Sequence, residues 1–198
     1  MGRRSFRGTA GRGVSWVLAG AILLPLSAQL PMSVKKDAER VLRALDQIEA
    51  ESLTRKGGGL KRADFSESEL NAYIAHRIAA EPNGVLKVLA LKLLAENKVE
   101  GMARLDLSGA RLPFGLKPRM NLYFAGKVLS QDGAVHLEFE SLFLEDRSVP
   151  LMLLDLIILA AAAIGKSDAS SINDWYELPY GIKEVKTASR RVSLYYLP

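Results

Sequence analysis

The residues best suited to chemistry by type and spacing are one histidine and two glutamates, each two positions from the next. His136, Glu138 and Glu140 would project from the same face of a β-strand, because successive side chains of a strand alternate between its faces. An imidazole and two carboxylates in this arrangement could bind a metal ion, but no second cluster of histidine or aspartate completes the coordination sphere. The pattern therefore favours a solvated strand face, and the sequence predicts neither a metal nor a cofactor.

The second histidine and the serines offer little to a catalyst. His76 lies three residues after Tyr73 in a stretch of helical periodicity, which favours a surface or boundary histidine over an acid or base. The serines lack the Gly-x-Ser-x-Gly setting of a nucleophile elbow. The glycines at 57–59 follow a predicted helix instead of a strand, as expected of a linker and not of a phosphate-binding loop. The sequence predicts a protein that is not an enzyme, and a hydrolase is the weakest alternative.

Asp155 is the one charged residue in the apolar stretch from Pro150 to Gly165. A buried carboxylate needs a basic partner or hydrogen-bond donors. Two interpretations stay open: Asp155 lies at a rim that faces water, or it marks the mouth of a groove, where it holds the amine of a lipid headgroup or orients a basic neighbour. The aromatic residues that follow suit either a membrane interface or an ordinary core edge; they are Trp175, Tyr176 and Tyr180.

The stretch around Asp155 predicts a helix that is apolar on every side. Pro150 suits the first helical turn and Gly165 the C-terminal cap, a length of roughly four turns that is too short to span a bilayer. Such a helix must be covered on more than one side, by protein or by an apolar ligand. Two interpretations are open: a central core helix wrapped by a sheet, and one wall of a lipid-holding groove. The two do not exclude each other.

Four arginines precede an uncharged apolar stretch at the start of the chain. They are Arg3, Arg4, Arg7 and Arg12, and the stretch runs from Val14 to Pro31. A basic segment followed by an apolar one predicts an export signal or a membrane anchor over residues 1–31, and the sequence leaves open which of the two it is. We therefore expect a periplasmic or otherwise extracytoplasmic protein, either secreted or anchored in the inner membrane by this segment.

The rest of the chain has the length and composition of one globular domain. About 165 residues follow the N-terminal segment, a length that suits a single core. Apolar residues make up 48% of the chain, charged residues 25%, and cysteine is absent, which excludes disulfides and thiolate metal sites. The net charge of the chain is +5. Four of the positive charges belong to the N-terminal arginines, so the rest of the chain is near neutral. No basic stripe interleaved with aromatic residues remains, so no nucleic-acid partner is predicted.

Two amphipathic helices are predicted before the first strands. The first covers 33–55 and ends at a glycine-rich linker, so residues 32–59 form one segment and residues 60–198 the α+β domain. The second covers 67–80 and begins at a capping box formed by Ser66 and Glu69.

Alternating apolar residues predict four antiparallel strands between the second helix and the apolar one. They cover 85–94, 98–108, 119–129 and 134–144, with hairpin turns at Glu96-Asn97 and at Gln131-Asp132-Gly133. The alternation in the fourth strand places Phe139 and Phe143 on one face. A closing strand follows at 191–197. The predicted fold is therefore α+β, with a curved antiparallel sheet wrapped around an apolar helix and preceded by two amphipathic helices.

Several short segments resemble a known group of proteins. The helix start at 65–71, the paired strands after it, Val149-Pro150 before the apolar helix and the 178–182 segment look like the YpmS-like group of single-pass extracytoplasmic proteins. They are similar, more distantly, to LmeA-like proteins of mycobacterial envelopes and to tubular lipid-binding domains. The resemblance covers the chain from Phe65 onward and implies a tethered or secreted domain that binds lipid or acyl chains without an enzymatic reaction. It supplies no catalytic residues.

We accordingly expect a groove between the sheet and the 151–164 helix that shields one or more acyl chains. Its expected lining residues are Leu122, Phe124, Phe139, Leu151, Leu154 and Ile158. The alternative is an envelope scaffold or assembly protein, in which the apolar stripe of the 33–55 helix pairs with itself or with a partner helix. A carrier has a continuous apolar cavity, whereas a scaffold has a filled core.

Overall fold

A computed structural model describes residues 31–54, 58–110, 112, 116–165 and 171–198 of the chain. Over these residues the protein is mixed α+β, with three helices and a strongly curved antiparallel sheet that forms half of a barrel. In chain order the elements are α1 (Met32–Thr54), β1 (Lys61–Ser66), α2 (Glu67–Ala79), β2 (Leu86–Leu93), β3 (Lys98–Asp106), β4 (Arg119–Gln131), β5 (Ala134–Leu144), β6 (Arg147–Ser148), α3 (Met152–Gly165), β7 (Tyr176–Glu177), β8 (Ile182–Ala188) and β9 (Arg191–Tyr196).

The predicted N-terminal signal or anchor lies outside the described residues, apart from Pro31. Among the helices of the described part, none combines the length and the hydropathy that a membrane crossing requires.

Helix α2 begins at the predicted capping box. The Ser66 hydroxyl accepts a hydrogen bond from the Glu69 backbone N–H at 3.2 Å, and the Glu69 carboxylate accepts one from the Ser66 N–H at 2.8 Å. These two reciprocal bonds satisfy donors that a helix start otherwise leaves free. Glu69 also forms an ion pair with Arg40 of α1, so the same carboxylate that caps α2 joins it to the neighbouring helix.

The larger sheet has the strand order β2-β3-β4-β5-β6, and β7 pairs with the other end of β5. Both predicted hairpin turns are present. Glu96 and Asn97 have φ values of 59° and 61°, and Asp132 and Gly133 have 51° and 83°. Two consecutive residues with positive φ form the tight turn whose twist matches that of paired strands, so these two turns set the register of β2 with β3 and of β4 with β5.

The prediction that Phe143 shares a face with Phe139 is wrong. The pairing of β4 with β5 shifts between Ala125 and Gly126, which face Ser141 and Phe139, so that Glu140 is an extra residue in β5. A bulge of one residue reverses the alternation beyond it. Leu142 is therefore buried, and Phe143 is exposed on the outer face of the sheet.

A second, three-stranded sheet has the order β1-β9-β8, and it pairs the strand that follows α1 with the last two strands. The turn residue Asn97 links it to the larger sheet. The side-chain oxygen of Asn97 accepts a hydrogen bond from the Thr187 N–H of β8 at 2.8 Å, and its backbone carbonyl accepts one from Val128 of β4 at 2.8 Å. The two sheets thereby enclose a common interior.

Helices α1 and α3 cover opposite ends of this interior. Ile48 of α1 is buried against Ile182 and Tyr196 of the smaller sheet. Leu154 and Ile157 of α3 are buried with the core residues contributed by β3, β4 and β5. Helix α3 begins two residues later than predicted, because Pro150 and Leu151 form a turn whose carbonyls accept hydrogen bonds from Leu153 and Leu154.

Candidate functional site

The inner face of the curved sheet encloses an apolar cavity of about 990 Å³. Ligand pockets for small molecules have volumes of about 300–1,000 Å³, so this one is at the upper end. None of the described lining residues is Asp, Glu, Lys or Arg, and the few polar side chains are His136, Thr187, Tyr73 and Tyr176. This interior offers hydrocarbon-like contacts and provides no charge for a charged group to pair with.

Strands β4 and β5 and helix α3 form one end of the cavity. Phe124 and Phe139 meet edge to face there, with ring centroids 5.7 Å apart and ring planes at 70°, an arrangement that aromatic pairs favour. Leu154 and Ile158 of α3 face them across the space.

Gly101 of β3 makes room for one of these rings. It pairs with Phe124 of β4, and a Cβ atom at Gly101 would lie 2.1 Å from the Phe124 Cζ. The ring therefore lies over the backbone of β3, as aromatic side chains do when they cover a glycine in a neighbouring strand. Any side chain at this position would push the ring toward the cavity.

The other end of the cavity is formed by α1, α2 and the smaller sheet. The residues that contribute are Val41 and Leu45 of α1, Leu70 and Tyr73 of α2, Val185 of β8 and Val192 and Leu194 of β9. The cavity therefore extends from one helical cover to the other, and the chain segment that the sequence assigns to the 32–59 region supplies part of its wall.

Side chains of α2 close the cavity along the edge of β2. The Asn71 amide donates to the Leu91 carbonyl at 2.7 Å and accepts from the Leu91 N–H at 2.8 Å. The Glu67 carboxylate accepts from the Leu93 N–H at 2.6 Å. These contacts imitate the pairing of a further strand and satisfy backbone groups that an edge strand leaves free. The sequence offered no indication of this role beyond the position of Asn71 on the helix.

Asp155 of α3 holds the segment that begins at Ser171, on the side of the cavity opposite α2. Its carboxylate accepts hydrogen bonds from the Ile172 N–H at 3.0 Å and from the Ser171 hydroxyl at 3.2 Å. Ile172 is only 8% exposed and lines the cavity. Neither sequence interpretation of Asp155 describes this geometry, because its partners are the main chain and a hydroxyl of a turn that brings an apolar side chain over the cavity.

The same segment continues to an aromatic cluster at the side of β5. The His136 Nδ1 lies 3.2 Å from the Asp174 carbonyl oxygen, and the His136 and Trp175 rings have centroids 5.4 Å apart. Tyr176 then pairs with Val135. Trp175 is 47% exposed, whereas His136 and Tyr176 also line the cavity. We call His136, Trp175 and Tyr176 the aromatic mouth. These three residues lie between the apolar interior and the surface.

Five of the six residues expected to line the groove do line this cavity: Leu122, Phe124, Phe139, Leu154 and Ile158. Leu151 is not among the lining residues. It precedes the first residue of α3 and is 38% exposed, because the later start of the helix leaves Leu151 in the preceding turn.

The residues considered for metal or acid–base chemistry have different surroundings in the structure. Glu138 and Glu140 are exposed, while His136 belongs to the aromatic mouth. His76 is partly buried on α2, near the helix end, where its carbonyl accepts a hydrogen bond from Ala80. Within the described residues no group of three or more His, Asp or Glu side chains has the geometry to hold a metal ion.

Asp106 and Glu69 are among the carboxyl groups whose pKa values are lowered, and both lie outside the cavity. Hydrogen bonds from the Ser108 hydroxyl and N–H, together with Arg119, lower the pKa of Asp106 to about 2. Partial burial acts to raise the pKa of Glu69, but bonds from Ser66 and the Arg40 guanidinium outweigh it and the pKa is lowered. Both carboxylates fix neighbouring elements in place.

The fold and the cavity together define an α+β protein with a large apolar interior site. Comparisons with protein-family models, with curated proteins and with solved structures find no match to the chain.

Proposed function

We propose that this protein binds lipid or acyl chains without catalysing a reaction, in the cavity between the curved sheet and α3. In this proposal the sheet wraps around the apolar helix α3, and the amphipathic helices α1 and α2 close the far end. The observation that carries it is the cavity of about 990 Å³ whose described lining contains no acidic or basic residue. A buried cavity of this kind favours hydrocarbon over any charged ligand.

The chemistry of the cavity lining also limits the class of ligand that can bind. Burial of apolar surface contributes about 25 cal/mol per Å², so long hydrocarbon chains gain most from this interior. A charged or strongly polar headgroup would remain at the surface. The aromatic mouth is the place for it, because Trp175 and Tyr176 combine apolar rings with polar groups and His136 can exchange hydrogen bonds with a headgroup.

The N-terminal segment supports a location for this activity. Its arginines and apolar stretch indicate an extracytoplasmic protein, secreted or anchored in the inner membrane, where acyl chains are available. The resemblance to YpmS-like and LmeA-like proteins supports the same proposal.

The scaffold alternative depends on a free apolar stripe on α1. Ala38, Val41 and Ile48 of this helix are buried within the same chain, so the stripe is already covered. This observation favours the carrier over self-association through residues 33–55.

The test is lipid extraction and native mass spectrometry of the protein isolated from its own envelope without added detergent. We expect bound lipid at defined stoichiometry. Leu154→Arg places a charge in the cavity and should abolish uptake, and Ile158→Trp should reduce it by filling the space without burying a charge. The control is Phe143→Arg on the exposed outer face of the sheet, which should retain the lipid. A folded Ile158→Trp protein with unchanged lipid content, or an empty wild-type protein, would contradict the proposal.

A further inference from the structure

Helix α3 exposes a second apolar surface on the side opposite the cavity. Met152 is 73% exposed and Leu159 is 56% exposed, and they lie seven residues apart, two turns along one face of the helix. Partly buried Leu156 and exposed Ala163 complete this face. We call these four residues the outer stripe. It contains no polar side chain.

The single charged residue of α3 does not contribute to the outer stripe. Asp155 is the only charged residue of the helix, and its carboxylate is engaged by Ser171 and Ile172. The outer stripe therefore meets its surroundings without any charge or hydrogen-bonding group. A surface helix that packs only against its own domain normally presents polar residues on the far side, and exposed apolar patches mark interaction sites.

The chemistry of the inner and outer faces of α3 indicates what the outer stripe binds. The inner face of α3 lines a cavity suited to hydrocarbon, so its ligand must come from a place where hydrocarbon chains are dissolved. The half-exposed Trp175 at the aromatic mouth is a residue type that settles at the boundary of acyl chains and headgroups. The apolar segment at 14–31, expected to be an export signal or a membrane anchor, ends directly before α1, and a retained anchor would hold the domain at a membrane surface.

We propose that the outer stripe of α3 inserts into the surface of a lipid bilayer and so positions the aromatic mouth for lipid exchange. This inference rests on the proposed function, since it supplies the route by which the ligand enters. An amphipathic or apolar helix that lies in the interface buries its side chains a few ångströms into the acyl boundary. The outer stripe supplies the side chains for that insertion, and the cavity lies directly behind it.

The absence of cysteine from the chain permits a direct test on the full-length protein. Single variants Met152→Cys, Leu159→Cys and the control Tyr123→Cys, on the outer face of the sheet, each carry one environment-sensitive fluorophore. The protein is reconstituted in vesicles of phosphatidylethanolamine and phosphatidylglycerol with nitroxide-labelled acyl chains. We expect quenching at positions 152 and 159 and none at 123, because the anchor alone would bring all three near the membrane but insert none of them.

A second variant separates docking from lipid binding. Leu159→Asp in the Met152→Cys background should lower the docked fraction about tenfold, the change that 1.4 kcal/mol produces, while the amount of lipid that the protein holds at equilibrium stays the same, because Leu159 does not line the cavity. Absence of quenching at 152 and 159 in a lipid-loaded protein would overturn the docking surface and keep the carrier. Quenching in a protein that never carries lipid would keep the surface and overturn the carrier. A dimer of the protein without vesicles that Leu159→Asp dissociates would assign the stripe to a second copy and overturn the inference.

Discussion

At the scale of single residues, Asn71 shows how a helix side chain can replace a strand. Its amide exchanges two hydrogen bonds with the backbone of Leu91, so α2 and β2 are joined as two strands would be. A buried backbone group that loses its partner costs about 1–3 kcal/mol. Together with the bond between Glu67 and Leu93, this amide holds α2 against the edge of β2, and the effect of its removal on stability can be measured.

We predict that Asn71→Leu lowers the free energy of unfolding by about 1–3 kcal/mol, the cost of an unsatisfied buried backbone group. Leucine is close in size, so the loss reflects the hydrogen bonds to Leu91 more than the packing. Denaturant unfolding of both proteins measures the difference. Asn83→Ala, at an exposed turn position, is the control and should have little effect. An equal loss in both variants would show that the Asn71 contacts contribute nothing specific.

Asp106 gives a prediction about acid stability. Its pKa in the folded protein is about 2, against an ordinary value of 3.8, so folding favours the charged form. The stabilisation is present above about pH 4 and is lost as the pH falls toward 2. Asp106→Asn should be less stable than the wild type near neutral pH, and the two proteins should converge at the acidic end. Thermal unfolding across this pH range tests it, and a difference that stays constant with pH would contradict it.

At the scale of elements, the curvature of the sheet determines how much space the side chains leave. Gly101 in β3 accommodates the Phe124 ring, and the bulge at Glu140 in β5 turns Leu142 inward and Phe143 outward. Bulges and glycines are the usual means of bending a sheet. Both features lie in the strands that form the cavity floor, so they affect its volume more than its chemistry.

We predict that Gly101→Ala moves the Phe124 ring into the cavity and lowers lipid occupancy severalfold. The new Cβ would lie 2.1 Å from the ring, and the ring is the more mobile of the two groups because it faces open space. Lipid content per protein, measured by mass spectrometry, reports the effect. Gly109→Ala is the matched control, since its nearest neighbour, an Ile164 side-chain atom, would be 3.5 Å away.

A compensating change makes this prediction sharper. Phe124→Leu in the Gly101→Ala background shortens the displaced side chain and should restore part of the lipid content. If Gly101→Ala alone leaves the content unchanged, Phe124 does not limit the space available to the ligand.

The elements that sequence predicts best here are the ones with local causes. The Ser66–Glu69 capping box and the Glu96-Asn97 and Asp132-Gly133 turns need only neighbouring residues, and all are present. Strand β1 is not predicted, because Lys61-Arg62-Ala63-Asp64 is polar and becomes a strand only by pairing with β9 at the other end of the chain. Phe143 is misplaced because a bulge depends on the partner strand.

For the cavity site, too, the local features could be predicted from the sequence and the long-range contacts could not. Leu122, Phe124 and Phe139 could be predicted as cavity-lining residues because strand alternation identifies inward-facing positions. Leu154 and Ile158 were expected there because the apolar helix was predicted to pack against that face of the sheet. The hydrogen bonds of Asp155 to Ser171 and Ile172 could not be predicted, because they depend on how the chain returns after α3. Leu151 was expected in the lining because it belongs to the apolar run, but the position at which a helix begins is uncertain by one or two residues.

At the scale of the whole molecule, the cavity is large for a domain of this size. Its volume is about 990 Å³, and its described lining is almost entirely apolar. An apolar lining offers water few hydrogen-bond partners. In the proposed carrier, hydrocarbon fills this interior in the loaded protein, and the walls move inward when the ligand leaves.

Helix α3 is the wall with the greatest freedom to move. It contacts the sheet through side chains such as Leu154 and Ile157, and Met152 and Leu159 of its outer stripe are exposed. Its position over the cavity is held at one side by the Asp155 hydrogen bonds to Ser171 and Ile172. By contrast, α2 is fixed by Asn71 to the backbone of β2 and by Glu69 to α1. Ligand release should therefore loosen α3 before α2.

We predict that removal of the bound lipid lowers the thermal stability of the protein and that its return restores it. A ligand that binds only the folded state stabilises it by RT ln(1 + [L]/Kd), about 2.7 kcal/mol at a hundredfold excess over Kd. Calorimetry before and after delipidation measures the change, and hydrogen exchange locates it. We expect faster exchange in α3 and in residues 171–176 of the delipidated protein, with α2 unchanged. Equal stability and equal exchange in both states would mean that the interior is filled by its own side chains, and the carrier would then give way to the scaffold.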